Sequence, residues 1–190
     1  MQESELIASL KKGHEQAFEE LVNLYKDRIY NTALGFVQNE EDAEEVTQDV
    51  FIKVYQHIKG FKEEAKLSTW LYRVAVTQSF DFLRKKKRLK RTGFVVSIFN
   101  SREEEISIPH FHHPGVVTEQ KETTAILFEA IKKLPEQQQT VLLLQKLEGL
   151  SQQDVADIMK TTAAAVESLL HRARANLRKL LEDYYQKHYK

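Results

Sequence analysis

The stretch Leu134–Leu181, LPEQQQTVLLLQKLEGLSQQDVADIMKTTAAAVESLLHRARANLRKLL, leaves a folding chain few choices. Pro135 restarts the chain into a helix, Gly149 breaks it, and Ser151 opens a short second helix. Lys160 to Thr162 then supply a tight turn before a long final helix. Ser151 and Asp154 have capping-box spacing, and Thr161 or Thr162 can cap the last helix. Val155 and Ile158 point inward, and Ala156 is small where two helices must approach. Val166, Leu169 or Leu170, Ala173, Leu177 and Leu180 make the buried face of the final helix. This order of elements is a helix-turn-helix. Ser168, His171 and Arg172, with Glu167 beside them, are left to face a DNA groove, with Arg174 and Arg178 near phosphates. A plain helical hairpin with a solvated basic face is the other reading of the same pattern.

Upstream, helical periods dominate. Phe18, Leu21, Val22, Tyr25, Ile29, Ala33, Phe36 and Val37 recur at spacings of three and four. Asn39 reads as an N-cap with Asp42 three residues on, and Glu40 and Glu41 suit the positive end of the helix dipole. Ala43, Val46, Val50, Val54 and Ile58 form the next stripe, which stops at Gly60. Ser68 opens a third helix, on which Leu71, Val74, Ala75, Gln78 and Phe82 share a face. Between Thr92 and Thr118 the periodicity is lost, and Gly93, Pro109, Pro114 and Gly115 appear. At that length the segment reads as a flexible linker. Pattern resumes near Glu119, with Ile126, Leu127, Ala130, Ile131 and Leu134 on one face. The expectation is an all-α chain of two small helical domains, 1–91 and 119–190, tethered by 92–118.

Charge decides what such domains meet. Lys and Arg number 28 and Asp and Glu 28, so the chain has no net charge and is no simple DNA-coating protein. The charges are segregated instead. Glu40, Glu41, Asp42, Glu44, Glu45 and Asp49 crowd one segment, whereas Arg84–Arg91, RKKKRLKR, is basic everywhere except Leu89. Two kinds of partner follow, one anionic and one basic or polar. From Phe61 onward aromatic and basic residues interleave: Phe61, Lys66, Trp70, Tyr72, Arg73, Phe80, Phe82 and Arg84. Single-stranded nucleic acid is gripped this way, cations tracking phosphates while rings stack on bases at about 1–3 kcal/mol each. Against this, Trp70 and Phe82 also suit a core, and the basic run also suits a solvated helix end or a localisation signal. For Phe82 the core reading is taken.

Other classes are thin. The chain has no cysteine, which excludes a disulfide framework and thiolate metal sites. His110, His112 and His113 in PHFHHPG offer imidazoles for zinc or for pH sensing, but they sit in the linker with no carboxylate or thiolate at ligand spacing except the Glu103–Glu105 triplet upstream. No phosphate loop, Ser/His/Asp order or paired-carboxylate pattern stands out, so neither an enzyme nor a cofactor is expected. The acidic, amphipathic N-terminus is not a signal peptide, and no apolar run approaches the roughly 20 residues that span a bilayer. A soluble, cytoplasmic protein without stable membrane insertion is the expectation.

With both halves in view, Ala17 to Arg88 resembles region 2 of the extracytoplasmic-function (ECF) sigma factors of the sigma-70 superfamily. The marks are DAEE followed by TQDVF, then STWLYRVA, then DFLR before a basic run. LPEQQQTV, LEGLSQQDVADIM and AAAVESLLHRARANLRK resemble region 4. The resemblance implies a dissociable subunit that binds core RNA polymerase and directs promoter-specific initiation. It implies polymerase docking at Asp42, Glu45, Gln48 and Asp49. It implies capture of the melted minus-ten strand by Lys66, Ser68, Thr69, Trp70, Tyr72, Arg73, Thr77 and Arg84. For the minus-thirty-five duplex it implies Thr162, Ala164, Ser168, His171, Arg172 and Arg174. The linker, with its acidic Glu103–Glu105, would thread the RNA exit path, and an anti-sigma partner is implied as inhibitor.

The chain departs from the family pattern in places. Thr77 stands where the family commonly has Asn, Lys160 where a turn Gly is usual, and Glu167 and Leu169 where cations are frequent. Fewer cations weaken the phosphate grip, so region 4 is expected to depend on the rest of the polymerase. A stand-alone helix-turn-helix regulator, binding duplex DNA without polymerase, is the alternative. The two domains are expected to pack together loosely in the free protein.

Overall fold

Caps written in the sequence set the helix starts. Asn39 accepts a 2.8 Å hydrogen bond from the Asp42 backbone N–H, and Ser151 Oγ accepts one of 3.1 Å from that of Asp154. Thr162 Oγ1 accepts from Ala165 N at 3.2 Å, so Thr162, not Thr161, caps the last helix. The computed structural model describes residues 2–96 and 121–188. These form α1 (Glu3–Lys11), α2 (Glu15–Val37), α3 (Glu40–His57), a 3-10 turn (Ile58–Gly60) and α4 (Leu67–Val96). α5 (Lys121–Lys132), α6 (Glu136–Lys146), α7 (Gln152–Met159) and α8 (Ala163–His188) follow. All the regular structure among the described residues is helical. The helix that begins near Ser68 runs on through Gly93 to Val96, five residues past the end expected from the period. The rest of the expected linker, His110, His112 and His113 included, lies outside the described residues.

Each apolar stripe becomes a packed face. Ala43, Val46, Val50 and Val54 on α3 and Ile58 in the 3-10 turn are all buried, against Leu21, Ile29 and Ala33 of α2 and Leu67, Leu71 and Ala75 of α4. At about 1.5–3 kcal/mol for each large aliphatic side chain removed from water, this three-helix seam carries the N-terminal half. In the C-terminal half Phe128, Val141, Leu144, Val155, Val166 and Ala173 form the second core. Leu169 is buried there and Leu170 only partly so, which also takes Leu169 off the groove-facing side of α8. Phe36, Tyr72 and Phe80 come from α2 and α4 yet belong to this second cluster. The two halves therefore share apolar surface.

The turn of the helix-turn-helix is strained where the sequence departs from its pattern. Lys160 ends α7 with φ 53° and ψ 49°, the left-handed region that favours glycine. A non-glycine residue pays about 1–2 kcal/mol there, partly offset by the entropy a glycine loses on folding. Lys160→Gly is therefore expected to raise stability by about 0.5–1 kcal/mol, read as an increase in the urea midpoint at unchanged slope. A lower midpoint would show that the Lys160 side chain stabilises more than its backbone costs.

Candidate functional site

Three surfaces carry the residues singled out from sequence. The first is the outer face of α3. Glu45, Gln48 and Asp49 are exposed there, while Asp42 is half-buried and ion-paired with Lys86 of α4. Beside them Ile52 and Tyr55 are 52% and 59% exposed, large apolar side chains outside the buried stripe. With Phe18, Val22 and Lys26 of α2 and Phe51 of α3 they line an open groove of about 850 Å³. Phe18 and Tyr55 meet edge-on with centroids 5.2 Å apart. Sequence reasoning found the acids and missed the groove. Its signal was there: Ile52 and Tyr55 are apolar residues on α3 that the buried stripe does not use.

The second surface is α4. Arg73, Thr77, Phe80 and Arg84 recur at i, i+4, i+7 and i+11, so they share one side of the helix. Phe61 stacks on Trp70, centroids 5.1 Å apart, and Trp70 is half-buried. Trp70, Arg73 and Thr77 line a depression of about 240 Å³ together with Lys53 and His57 of α3 and Gln78. Lys66 and Thr77 are exposed and Ser68 is half-buried. Two of the expected residues stand apart. Thr69 and Tyr72 are each only 4% exposed, so neither is on the accessible strip. The interleaved pattern placed the Tyr72 ring with the strand-gripping cations, but its direction along the helix turns it into the core shared by the halves. Phe82, partly buried against the N-terminal core, matches the core reading.

The third surface is α8. Thr162, Ala164, Ser168, His171, Arg172 and Arg174 are all exposed. Ala164, Ser168, His171 and Arg172 follow helical spacing on one side, and Arg174 lies toward the edge of that face. Glu167 is exposed as well.

The junction of the halves adds groups that sequence reasoning did not find. Arg73 donates to two backbone carbonyls at the C-terminal end of α7, Asp157 O at 2.7 Å and Ile158 O at 3.0 Å. Arg84 reaches Asp81 and, at 2.9 Å, Glu136 at the start of α6. Lys66 lies 3.6 Å from Asp154. The Ser151 hydroxyl, together with Lys66, holds the Asp154 carboxyl below its usual range. Gln38, left-handed at φ 58° and buried, donates from Nε2 to Phe128 O at 2.8 Å. Among the described residues its Oε1 is buried without a hydrogen-bond partner, an arrangement that costs about 1–3 kcal/mol.

Glu148, between α6 and α7, faces Tyr72 of α4 and Thr32 and Arg28 of α2. The Tyr72 hydroxyl donates to it over a long 3.4 Å. Burial pushes the Glu148 carboxyl up to about 7, and burial with the nearby carboxylate pushes Tyr72 up to about 12. A carboxyl raised by burial between the halves stabilises their contact when it is protonated. The contribution is complete below the ordinary carboxylate value of 4.5 and is lost as pH rises through about 7. Acidification across that window is therefore expected to shorten the mean distance between dyes on α1 and α8, and Glu148→Gln to flatten the response. An unchanged pH response in Glu148→Gln would assign the titration elsewhere.

Among the described residues no helix is long and apolar enough to cross a membrane. Among them, too, no group of three or more His, Cys, Asp or Glu is placed to hold a metal ion.

Comparison with known proteins follows the same division of the chain. Residues 21–89 match the family described as Sigma-70 region 2, and residues 124–177 that described as Sigma-70, region 4. The ECF RNA polymerase sigma factor SigW of Bacillus subtilis is 32% identical over 182 residues, covering 93% of this chain and 95% of that protein. The RNA polymerase sigma-H factor of Pseudomonas aeruginosa is 29% identical, with 95% and 94% covered. Among solved structures, CnrH in complex with the cytosolic domain of CnrY superposes with a TM-score of 0.66 at 22% identity. It covers 95% of this chain and 97% of that one.

Proposed function

Since the chain belongs to the ECF sigma factors of the sigma-70 family, we propose how its three surfaces divide the work of such a factor. It binds core RNA polymerase and directs promoter-specific transcription initiation, and anti-sigma factors are among its partners in kind. The observation that carries this is the tandem of region 2 and region 4 in one chain, aligned over nearly its whole length with SigW. Nothing favours the stand-alone regulator.

The chain works as a binding subunit inside the cell and leaves bond making to the polymerase. Its domains divide at the segment 92–118. Asp42, Glu45, Gln48 and Asp49 dock on the polymerase, with the apolar groove between α2 and α3 beside them. Lys66, Ser68, Trp70, Arg73, Thr77 and Arg84 hold the melted minus-ten strand. Melting a duplex forfeits stacking of about 1.4 kcal/mol per step. Cations on the strand's phosphates and a pocket for an extruded base offset part of that. Thr69 and Tyr72 support this face from behind. Thr162, Ala164, Ser168, His171, Arg172 and Arg174 meet the minus-thirty-five duplex in the major groove.

Run-off transcription on a library of promoter-length DNA, with core polymerase plus and minus the protein, tests the reading. New starts that need the protein and share two spaced upstream motifs are expected. Retention of particular duplexes by the protein alone, with no new starts, would overturn it in favour of a stand-alone regulator.

A further inference from the structure

The start of α4 is set from outside the helix. Lys66 precedes it and has no side-chain oxygen with which to cap a backbone N–H. The cap comes from 64 positions upstream, where Glu3 Oε1 of α1 accepts from the Leu67 N–H at 3.1 Å. A carboxylate suits that place in two ways. It satisfies an N–H that has no acceptor within its own helix, and its charge is favoured at the positive end of the helix dipole. α1 holds the segment before α4 at a second point, because Lys11, its last residue, is ion-paired with Glu63. Glu63 stands at φ 60°, a left-handed backbone that a side chain disfavours and a contact must hold. Between the two contacts, Leu6, Ile7 and Leu10 of α1 lie in the same apolar core as Ile58, Phe61 and Leu67.

What α1 fixes in this way is the leading edge of the strand-holding surface. Lys66 stands just before α4, and Ser68 and Trp70 lie in its first turn. The Trp70 ring stacks on Phe61, with centroids 5.1 Å apart, so its position follows that of the segment α1 holds. α1 itself lies ahead of the matched residues 21–89. Helix ends fray by a residue or two when nothing fixes them, whereas a recognition surface has to be held to about 0.5 Å to discriminate. We propose that α1 is a positioning element for the minus-ten face: Glu3 and Lys11 set where Lys66, Ser68 and Trp70 meet the melted strand, without touching it themselves. The inference rests on the sigma-factor reading of α4, and its test separates the two.

The full-length chain with core polymerase, transcribing the library of promoter-length DNA, gives the readout. Base preference is scored separately in the motif nearer the start and in the motif farther upstream, which α8 is proposed to read. Glu3→Ala removes the acceptor for Leu67 N–H, and Glu3→Gln keeps a carbonyl oxygen there. Lys11→Ala removes the partner of Glu63, and Lys11→Arg keeps a cation. Glu19→Ala makes the same charge change as Glu3→Ala on exposed α2 surface. The melting midpoint of each variant is measured beside its transcripts.

Glu3→Ala is expected to flatten base preference in the nearer motif about three- to tenfold, the scale of one lost helix cap. The upstream motif should stay as sharp as in the parent. Lys11→Ala should flatten the nearer motif about twofold, the scale of one partly exposed ion pair. Glu3→Gln and Lys11→Arg should recover most of the preference, and Glu19→Ala should match the parent. An unaltered nearer motif in Glu3→Ala overturns the positioning role. Equal flattening of both motifs, in step with a lower melting midpoint, overturns it as well, because a merely structural contact acts on the whole chain. If the parent itself gives no protein-dependent starts, the sigma-factor reading falls and takes the inference with it.

Discussion

Reversing Glu45 and Asp49 together to lysine is expected to abolish polymerase-dependent run-off transcription while the free protein keeps its fold. Both side chains are exposed on α3, and neither forms an ion pair among the described residues. Reversal therefore breaks no described contact, and surface substitutions of this kind stay within about 0.5 kcal/mol. At a docking surface the same change converts complementary charge into like charge, which costs several kcal/mol. At 1.4 kcal/mol per tenfold, that is about a hundredfold or more in affinity for the core enzyme. Measuring the melting midpoint beside the transcript separates the two effects. An unchanged transcript would move docking to the apolar groove beside these acids, where Ile52 and Tyr55 are exposed.

The contrast between α3 and α4 shows which features the sequence made legible. Caps and stripes are local: Asn39, Ser151 and Thr162 cap through backbone groups three residues away, and the α3 stripe needs only its own period to identify its buried side. The helix-turn-helix was legible for the same reason, whereas the left-handed backbone at Lys160 was signalled only by the glycine usual there in the family. The exposed side of α8 follows once its buried side is known. Tyr72 fails this logic. On α4 a ring can serve a strand or a core equally well by spacing, and what decides is a second half arriving from more than sixty positions downstream, with Glu148 against the Tyr72 hydroxyl.

Gln38, Glu136 and Glu148 were missed on the same ground. Each is an unremarked polar residue at a helix boundary until the other half supplies its partner. The Arg73 contacts were beyond reach too, since backbone carbonyls at a helix end have no sequence signature. Loose packing of the halves was expected from the hazard of exposed surface. The structure adds that the packing runs through residues with proposed duties elsewhere.

Phe36→Ala carries the largest expected loss of stability. The ring is 1% exposed, sits in the last turn of α2, and meets Phe80 edge-on with centroids 5.1 Å apart. Truncating a fully buried phenylalanine costs about 3–5 kcal/mol, of which the aromatic pair supplies about 0.5–1.5. The neighbouring Leu34 and Val37 belong to the other core, so the N-terminal seam of α2, α3 and α4 keeps its own side chains in the variant. The loss should fall on the junction. Hydrogen exchange ought to quicken most in α6 and at the α2 end that carries Gln38, and least in the centre of α3, where Val46 and Val50 remain enclosed. Uniform acceleration across both halves would instead mean that they unfold as one cooperative unit, with Phe36 as much a part of the N-terminal core as Leu34.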